Sequence, residues 1–327
     1  MIYFGQNKRE PSIDMFRGFI ILGMLTSTFF GISQAVKDII PAIISHSDYN
    51  GITIAEFFAP AFVFLMGMSA VGSFERRKAA DGVGKARLHF FYKGCVLIAL
   101  QAIMNQPTQV FTGQTKVMWG ILSAVGIAVL WALPFIGRKL VTRACGFVGY
   151  AAVLTVLSLC FGFEEIIRSF TQGGIIGGLG WSCMFLFGTI VNELFVRKKG
   201  VWIVLGVSAL LTVGGLLLDS VIPFSKRAVS LSYVVMTCGV SGLAFIVFFL
   251  LAEVWGEKTN FMIWVGKNAI LFFLCDQLLA AVLGLDLLAF IYPTATAFSV
   301  ALGAAINVAV WSALAYLLNK KKIHLKI

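Results

Sequence analysis

Apolar residues in this chain come in long, nearly unbroken runs separated by short polar connections. Ten of these runs approach the length that crosses a ~30 Å hydrocarbon core, at 14–34, 54–74, 88–105, 117–136, 144–163, 175–195, 201–221, 231–255, 261–282 and 295–318. They are too long and too continuously apolar for barrel strands. A backbone in lipid must also satisfy its own polar groups, so each run is expected to be a helix. The pattern predicts an all-α fold: a polytopic membrane helical bundle of about ten transmembrane helices, forming one domain over residues 1–327. The run Phe16 to Ile32 lacks a small-residue cleavage site behind it and is followed by further spans, so it reads as the first span rather than a cleaved signal peptide.

The polar connections set an orientation. With both termini cytoplasmic, the cytoplasmic pieces hold Lys8, Arg9, Arg76, Arg77, Lys78, Lys85, Arg87, Arg138, Lys139, Arg143, Arg197, Lys198, Lys199, Lys258, Lys320, Lys321, Lys322 and Lys326, eighteen basic residues in all. The other side receives five, namely Lys37, Lys116, Arg168, Lys226 and Arg227. That excess is the positive-inside signature, and it fixes the orientation; the membrane is expected to be a bacterial inner membrane.

Composition excludes the soluble classes. The chain is 59% hydrophobic and 13% charged with mean hydropathy +0.92, whereas soluble domains carry roughly 45–50% apolar and about 25% charged residues. The net charge of +11 is therefore topology signal and attraction to anionic lipid heads, and no soluble basic domain offers a nucleic-acid surface. Linkers, heptads, low-complexity segments and a clear internal repeat are all missing. The lack of a repeat or of paired broken helices speaks against a transporter built from two related halves. Cys95, Cys145, Cys160, Cys183, Cys238 and Cys275 all fall inside runs with no CxxC pair, which makes them packing residues rather than metal ligands; no metal is expected.

Candidate chemistry concentrates in two places. The stretch SHSDYNGITIAEFFAPAFVFLMG, Ser45 to Gly67, puts polar groups directly before the second span, on the external side. His46 is one of three histidines, and imidazole is the side chain that changes charge near neutral pH. Asp48 and Glu56 can orient that ring as a general base, Asn50 can hydrogen-bond a sugar or carbonyl, and Gly51 permits a tight turn. The plainer reading is local: Asp48 and Asn50 form turns, and Thr53 with Glu56 three residues on makes a capping box. The second place is inside the spans, where Arg17, Lys93 and Lys267 each lie within roughly 10 Å of the cytoplasmic face at ~1.5 Å per residue. Singly, each can snorkel to the interface. Three at one depth are better explained by an anionic ligand sunk into that half of the bundle. Asp14 shares a helix face with Arg17 and holds it, while Asn268, Phe272 and Asp276 recur at helical spacing and turn polar groups inwards.

The segment SIDMFRGFIILGMLTSTFF resembles the start of the heparan-alpha-glucosaminide N-acetyltransferase family and its bacterial relatives, with Ser12, Asp14, Arg17 and Gly18 on the family pattern. The next family motif is matched by His46, Tyr49, Asn50, Gly51, Thr53, Glu56, Pro60, Phe62, Phe64, Gly67 and Ser69. A third is similar over Lys226, Arg227, Ser230, Ser232, Tyr233 and Gly239, followed by Gly266, Lys267 and Asn268. The likeness runs over essentially the whole chain. Two positions depart: Glu56 stands where the family usually has Asp, which keeps the charge, and Thr28 where it often has Asn, which removes an amide. The long lumenal N-terminal extension of the animal enzymes has no counterpart, as expected of a compact prokaryotic member.

The resemblance implies transfer of an acetyl group from cytoplasmic acetyl-CoA to an amine or hydroxyl of an amino-sugar-type acceptor on the far side. Taken with the placement of Asp48, Lys93 and Asp276 along the chain, it assigns His46, Glu56 and Asp48 to catalysis, Arg17, Asp14, Lys93, Lys267 and Asn268 to the cofactor, and Asn50, Tyr49 and Asp276 to the acceptor. Expected partners are acetyl-CoA, an amino-sugar or glycan acceptor and the bilayer, with a homodimer left open. The alternative is a proton-coupled transporter of an amino sugar or anionic metabolite. A bare membrane scaffold leaves six carboxylates in or at the ends of spans unexplained: Asp14, Glu56, Glu193, Asp219, Glu253 and Asp276.

Overall fold

A computed structural model describes residues 10–31, 34–41, 44, 51–112, 119–197, 199–255, 261–279 and 296–323. These residues form helices and no strand: α1 (Pro11–Phe30), α2 (Gln34–Lys37), α3 (Ala55–Thr112), α4 (Ile121–Ala132), α5 (Leu140–Cys160), α6 (Glu164–Ser169), α7 (Gly174–Phe195), α8 (Gly200–Asp219), α9 (Leu231–Trp255), α10 (Phe261–Lys267), α11 (Ala269–Leu279) and α12 (Ala297–Lys320). Pro11 opens α1, where its missing N–H has no helical partner to lose.

Among the described residues seven helices are long and apolar enough to cross a membrane, or eight if α10 and α11 count as one bent span. The difference from ten has three local causes. The runs at 54–74 and 88–105 lie within α3, which leaves helical geometry only at Gly82, with φ 84° and ψ 165°. The run at 117–136 contains α4, whose twelve residues cover about 18 Å at ~1.5 Å each, short of a full crossing. The ninth run is broken, since α10 and α11 meet at 82°. Asn268 falls in that break, so the helical face expected through Asn268, Phe272 and Asp276 starts only beyond it.

Glycines set the closest crossings. A Cβ on Gly67 of α3 would strike the Phe185 carbonyl of α7, and one on Gly188 of α7 would strike the Phe64 carbonyl of α3. Gly18 of α1 meets the Met262 carbonyl and Gly266 meets that of Asp14 in the same reciprocal way. Small residues let backbones approach where lipid offers no hydrophobic drive between helices. Helix α7 packs against α3, α4, α5, α8 and α9, and nearly all its side chains are buried. By contrast α8 exposes Trp202, Leu210 and Leu217, and α12 exposes Phe298; apolar faces turned outward on a bundle are the surface that lipid covers.

One expectation is corrected here. Arg143 does not belong to a polar connection: it lies in α5, 2% exposed, donating to the Thr189 carbonyl at 2.6 Å and paired with Glu193 of α7, which also takes Arg197 at 3.1 Å. Charges with almost no water around them persist only when paired in this way.

Candidate active site

Helices α1 and α3 run side by side in opposite directions, so each carries the two ends of the site. Near the start of α1, Arg17 donates to Asp14 at 3.1 Å and to the Ser69 hydroxyl of α3 at 2.9 Å. Asp14 is 3% exposed, and the guanidinium is the cation paired with its buried carboxylate. Lys93, from the second half of α3, comes within electrostatic reach of Arg17 and Arg77, and His89 within reach of Arg77 and Lys93. Lys267 follows Gly266, which lies on the Asp14 carbonyl; its ammonium donates to Asn319 of α12 at 3.1 Å. Asn268 donates to the Ile323 carbonyl at 3.0 Å, so the helix break is tied to the C-terminal segment. The structure therefore brings Asp14, Arg17 and Lys93 together and sets Lys267 and Asn268 beside them at the α1–α10 crossing, each with a partner of its own. Several cations in one place repel one another, an arrangement suited to an anion with more than one charge.

At the other end, Glu56 in the first turn of α3 is 2% exposed and pairs with Lys226 at 3.0 Å. The capping box offered by Thr53 and Glu56 does not form: the Thr53 hydroxyl is buried without a hydrogen-bond partner among the described residues, and the Glu56 N–H donates to the Thr53 carbonyl instead. Lys226 lies on the connection between α8 and α9, which is braced at several points. Asp219 accepts from the Phe224 N–H, Ser225 and Ser230 bond to each other, and Ser230 accepts from the Tyr233 N–H at the start of α9. Val229 has φ 49°, a left-handed conformation that costs a β-branched residue on the order of 1–3 kcal/mol. Its side chain fills the hollow left by Gly173, just before α7, and by Gly177 and Gly180 of α7, and that packing holds the strained backbone. Tyr233 is fully buried against Trp181 and Phe224, near enough to Glu56 to feel its charge, with its hydroxyl unpartnered among the described residues. Asp276 of α11, 7% exposed, has Thr28 and Gln277 within hydrogen-bonding reach on one side and, on the other, a buried Oδ2 without a partner among the described residues.

His46, Asp48, Tyr49 and Asn50 lie outside the described residues. The described chain resumes at Gly51, whose N–H donates to the Phe224 carbonyl at 3.4 Å, so the connection carrying Lys226 also anchors the segment that leads from His46 into α3.

Between the two ends lies a narrow apolar crevice, lined by Ile21 and Met24 of α1, Phe62 of α3, Ile121, Leu122 and Val125 of α4, and Ile270 and Phe273 of α11. Ile21 and Met24 fall between Arg17 and Thr28 along α1, which puts the crevice midway. The α4 end of it is fixed by Gln101 of α3, which accepts from the Leu122 N–H at 3.2 Å.

Sequence reasoning missed the pairing of Lys226 with Glu56, the role of Ser69 as a partner of Arg17, and Asn319. Lys226 carried two signals, its place in the third family motif and a basic charge on the side of the bundle where basic residues are scarce. Ser69 stood only as the end of the second family motif, with no partner indicated, and Asn319 carried no signal, because a lone amide inside an apolar helix is ordinary.

A helical bundle with clustered cations at one end, buried carboxylates at the other and an apolar crevice between them has the build of an integral membrane enzyme for one anionic and one polar substrate. The family model described as heparan-alpha-glucosaminide N-acetyltransferase, catalytic, matches residues 9–215. The chain belongs to that family and is a multi-pass membrane acetyltransferase. Comparison with curated proteins finds no match. Lys226, Lys267 and Asp276 lie beyond the matched residues.

Proposed function

We propose that the chain moves an acetyl group from cytoplasmic acetyl-CoA to an amine or hydroxyl of an amino-sugar-type acceptor on the extracytoplasmic side of a bacterial inner membrane. The observation that carries this reading is the apolar crevice lying between the Arg17–Lys93 cluster and the Glu56–Asp276 end. From Ser69, which Arg17 touches, to Glu56 is thirteen residues of α3, about 20 Å at ~1.5 Å per residue. A thioester arm anchored by its phosphates at the cation cluster then has less than the full ~30 Å core to cover.

In this reading Arg17, Lys93 and Lys267 neutralise the phosphates of the donor, Asp14 holds Arg17, and Asn268 keeps the helix break next to it. The excess of basic residues in the expected cytoplasmic connections supports the sidedness. At the far end Tyr49, Asn50 and Asp276 hold the acceptor, and His46, oriented by Asp48 or Glu56, takes a proton from the attacking nitrogen or oxygen. The new bond forms from that atom to the thioester carbonyl carbon, the C–S bond breaks, and the departing thiolate recovers a proton. An acetyl-histidine intermediate is the two-step version of the same exchange. Purified protein given acetyl-CoA and glucosamine should release free CoA beyond one equivalent per chain only when both are present; sustained release without the acceptor, or no release with it, overturns the reading.

One observation favours the second reading, a proton-coupled transporter of an amino sugar or anionic metabolite. The 82° break between α10 and α11 is the kind of interrupted helix on which transporter sites are built. A transporter moves glucosamine and releases no CoA.

A further inference from the structure

The buried partner of Glu56 is a lysine from a strap rather than a neighbour in the bundle. Lys226 sits on the surface connection 220–230, its side chain 16% exposed, while Glu56 beneath it is 3% exposed on the same side-chain measure. An ammonium carried on a flexible stem thus occupies the only described cation position on a carboxylate at the end of the site where the acceptor is expected. Beside it the Tyr233 hydroxyl, fully buried, has no partner among the described residues. The strap itself is held under strain at Val229 and joined through Phe224 to Gly51, four residues before α3.

The geometry points to Glu56 as the subsite for a protonated primary amine, with Lys226 as its internal stand-in. An acceptor bearing an ammonium and neighbouring hydroxyls displaces Lys226 from Glu56, and one of its hydroxyls satisfies Tyr233. This rests on the acetyltransferase reading for the identity of the amine as acceptor, and it narrows that reading: Glu56 binds the acceptor, orientation of His46 falls to Asp48, and amines are preferred to alcohols. A lysine that must leave before the substrate binds lowers the apparent affinity by the fraction of molecules in which the site is free. It also keeps the buried carboxylate paired while the acceptor is absent.

Binding of glucosamine and of N-acetylglucosamine, which carries no ammonium, is measured by titration calorimetry on the full chain in detergent without any acetyl-CoA. Lys226→Ala should bind glucosamine at least ten-fold more tightly than the wild type, with N-acetylglucosamine unchanged. Lys226→Arg, which keeps the charge and pairs through a fork that is harder to displace, should bind glucosamine about ten-fold more weakly. Equal affinities for glucosamine in the wild type and Lys226→Arg overturn the proposal, and do so even where Lys226→Ala fails to fold. A gain in Lys226→Ala that is shared by N-acetylglucosamine overturns it as well. The measurement needs no transfer, so an inactive protein that still shows the glucosamine-specific changes would defeat the acetyltransferase reading and leave the amine subsite standing.

Discussion

Replacing Lys93 by Met should weaken binding of CoA while leaving the empty protein as stable as before or more so. The substitution keeps most of the aliphatic stem and deletes the ammonium. The charges that act on Lys93 are Arg17 and Arg77, both cations, so its removal relieves repulsion in the empty protein. Burial of the ammonium, the larger effect, adds to that repulsion, so the empty variant gains at least a few tenths of a kcal/mol. With a phosphate present the same ammonium makes a charge-assisted hydrogen bond contributing about 1.5–3 kcal/mol, which at ~1.4 kcal/mol per factor of ten is roughly a 10- to 150-fold loss of affinity. Lys267→Met should lose affinity to a similar degree but also give up its 3.1 Å bond to Asn319, so its Tm should fall slightly. Titration of CoA into detergent-solubilised protein, with thermal unfolding of each empty variant in the same buffer, separates the two effects. CoA affinity unchanged in both variants would refute the anion site. A Tm drop in Lys93→Met would refute the claim that its neighbours are predominantly repulsive.

Other expectations follow from the same contacts. Arg143→Met should cost about 3–5 kcal/mol by leaving Glu193 buried and half-paired, whereas Arg143→Met with Glu193→Leu should lie near the wild type; equal losses in denaturant unfolding would show that the pair is not what matters. Asp276→Asn should lower transfer by about ten-fold with CoA affinity within two-fold of wild type, and a matching loss of CoA affinity would take Asp276 away from the acceptor end. His46→Ala should fold and bind CoA nearly as before but transfer acetyl ~10²-fold more slowly or worse; transfer within a few-fold of wild type would reduce this histidine to loop structure.

The bundle was legible because lipid demands runs that no soluble fold uses, and the Asp14–Arg17 pair was legible from a spacing of three on one helix. What stayed hidden depends on contacts between distant segments. The break at Asn268 has no proline to announce it and is held by the Ile323 carbonyl and the Gly266–Asp14 approach. Arg143 looked like one more basic residue in a connection because Glu193, its partner, lies fifty positions on. The capping box at Thr53 was a sound local expectation that lost to an ion pair, since Lys226 offers the buried Glu56 carboxylate a full charge where a backbone N–H offers a partial one. Ser69 and Asn319 became site residues only once the helices were set side by side.

Sealed vesicles carrying the purified protein provide the most direct test of the central claim. Acetyl-CoA is placed on the side of the Arg17–Lys93 end and glucosamine on the other, with both compartments sampled for free CoA and for N-acetylglucosamine. The account predicts free CoA on the donor side and an equal amount of acetylated sugar on the acceptor side, with neither formed when the two substrates exchange sides. Glucosamine crossing unmodified, with no CoA released, would contradict it.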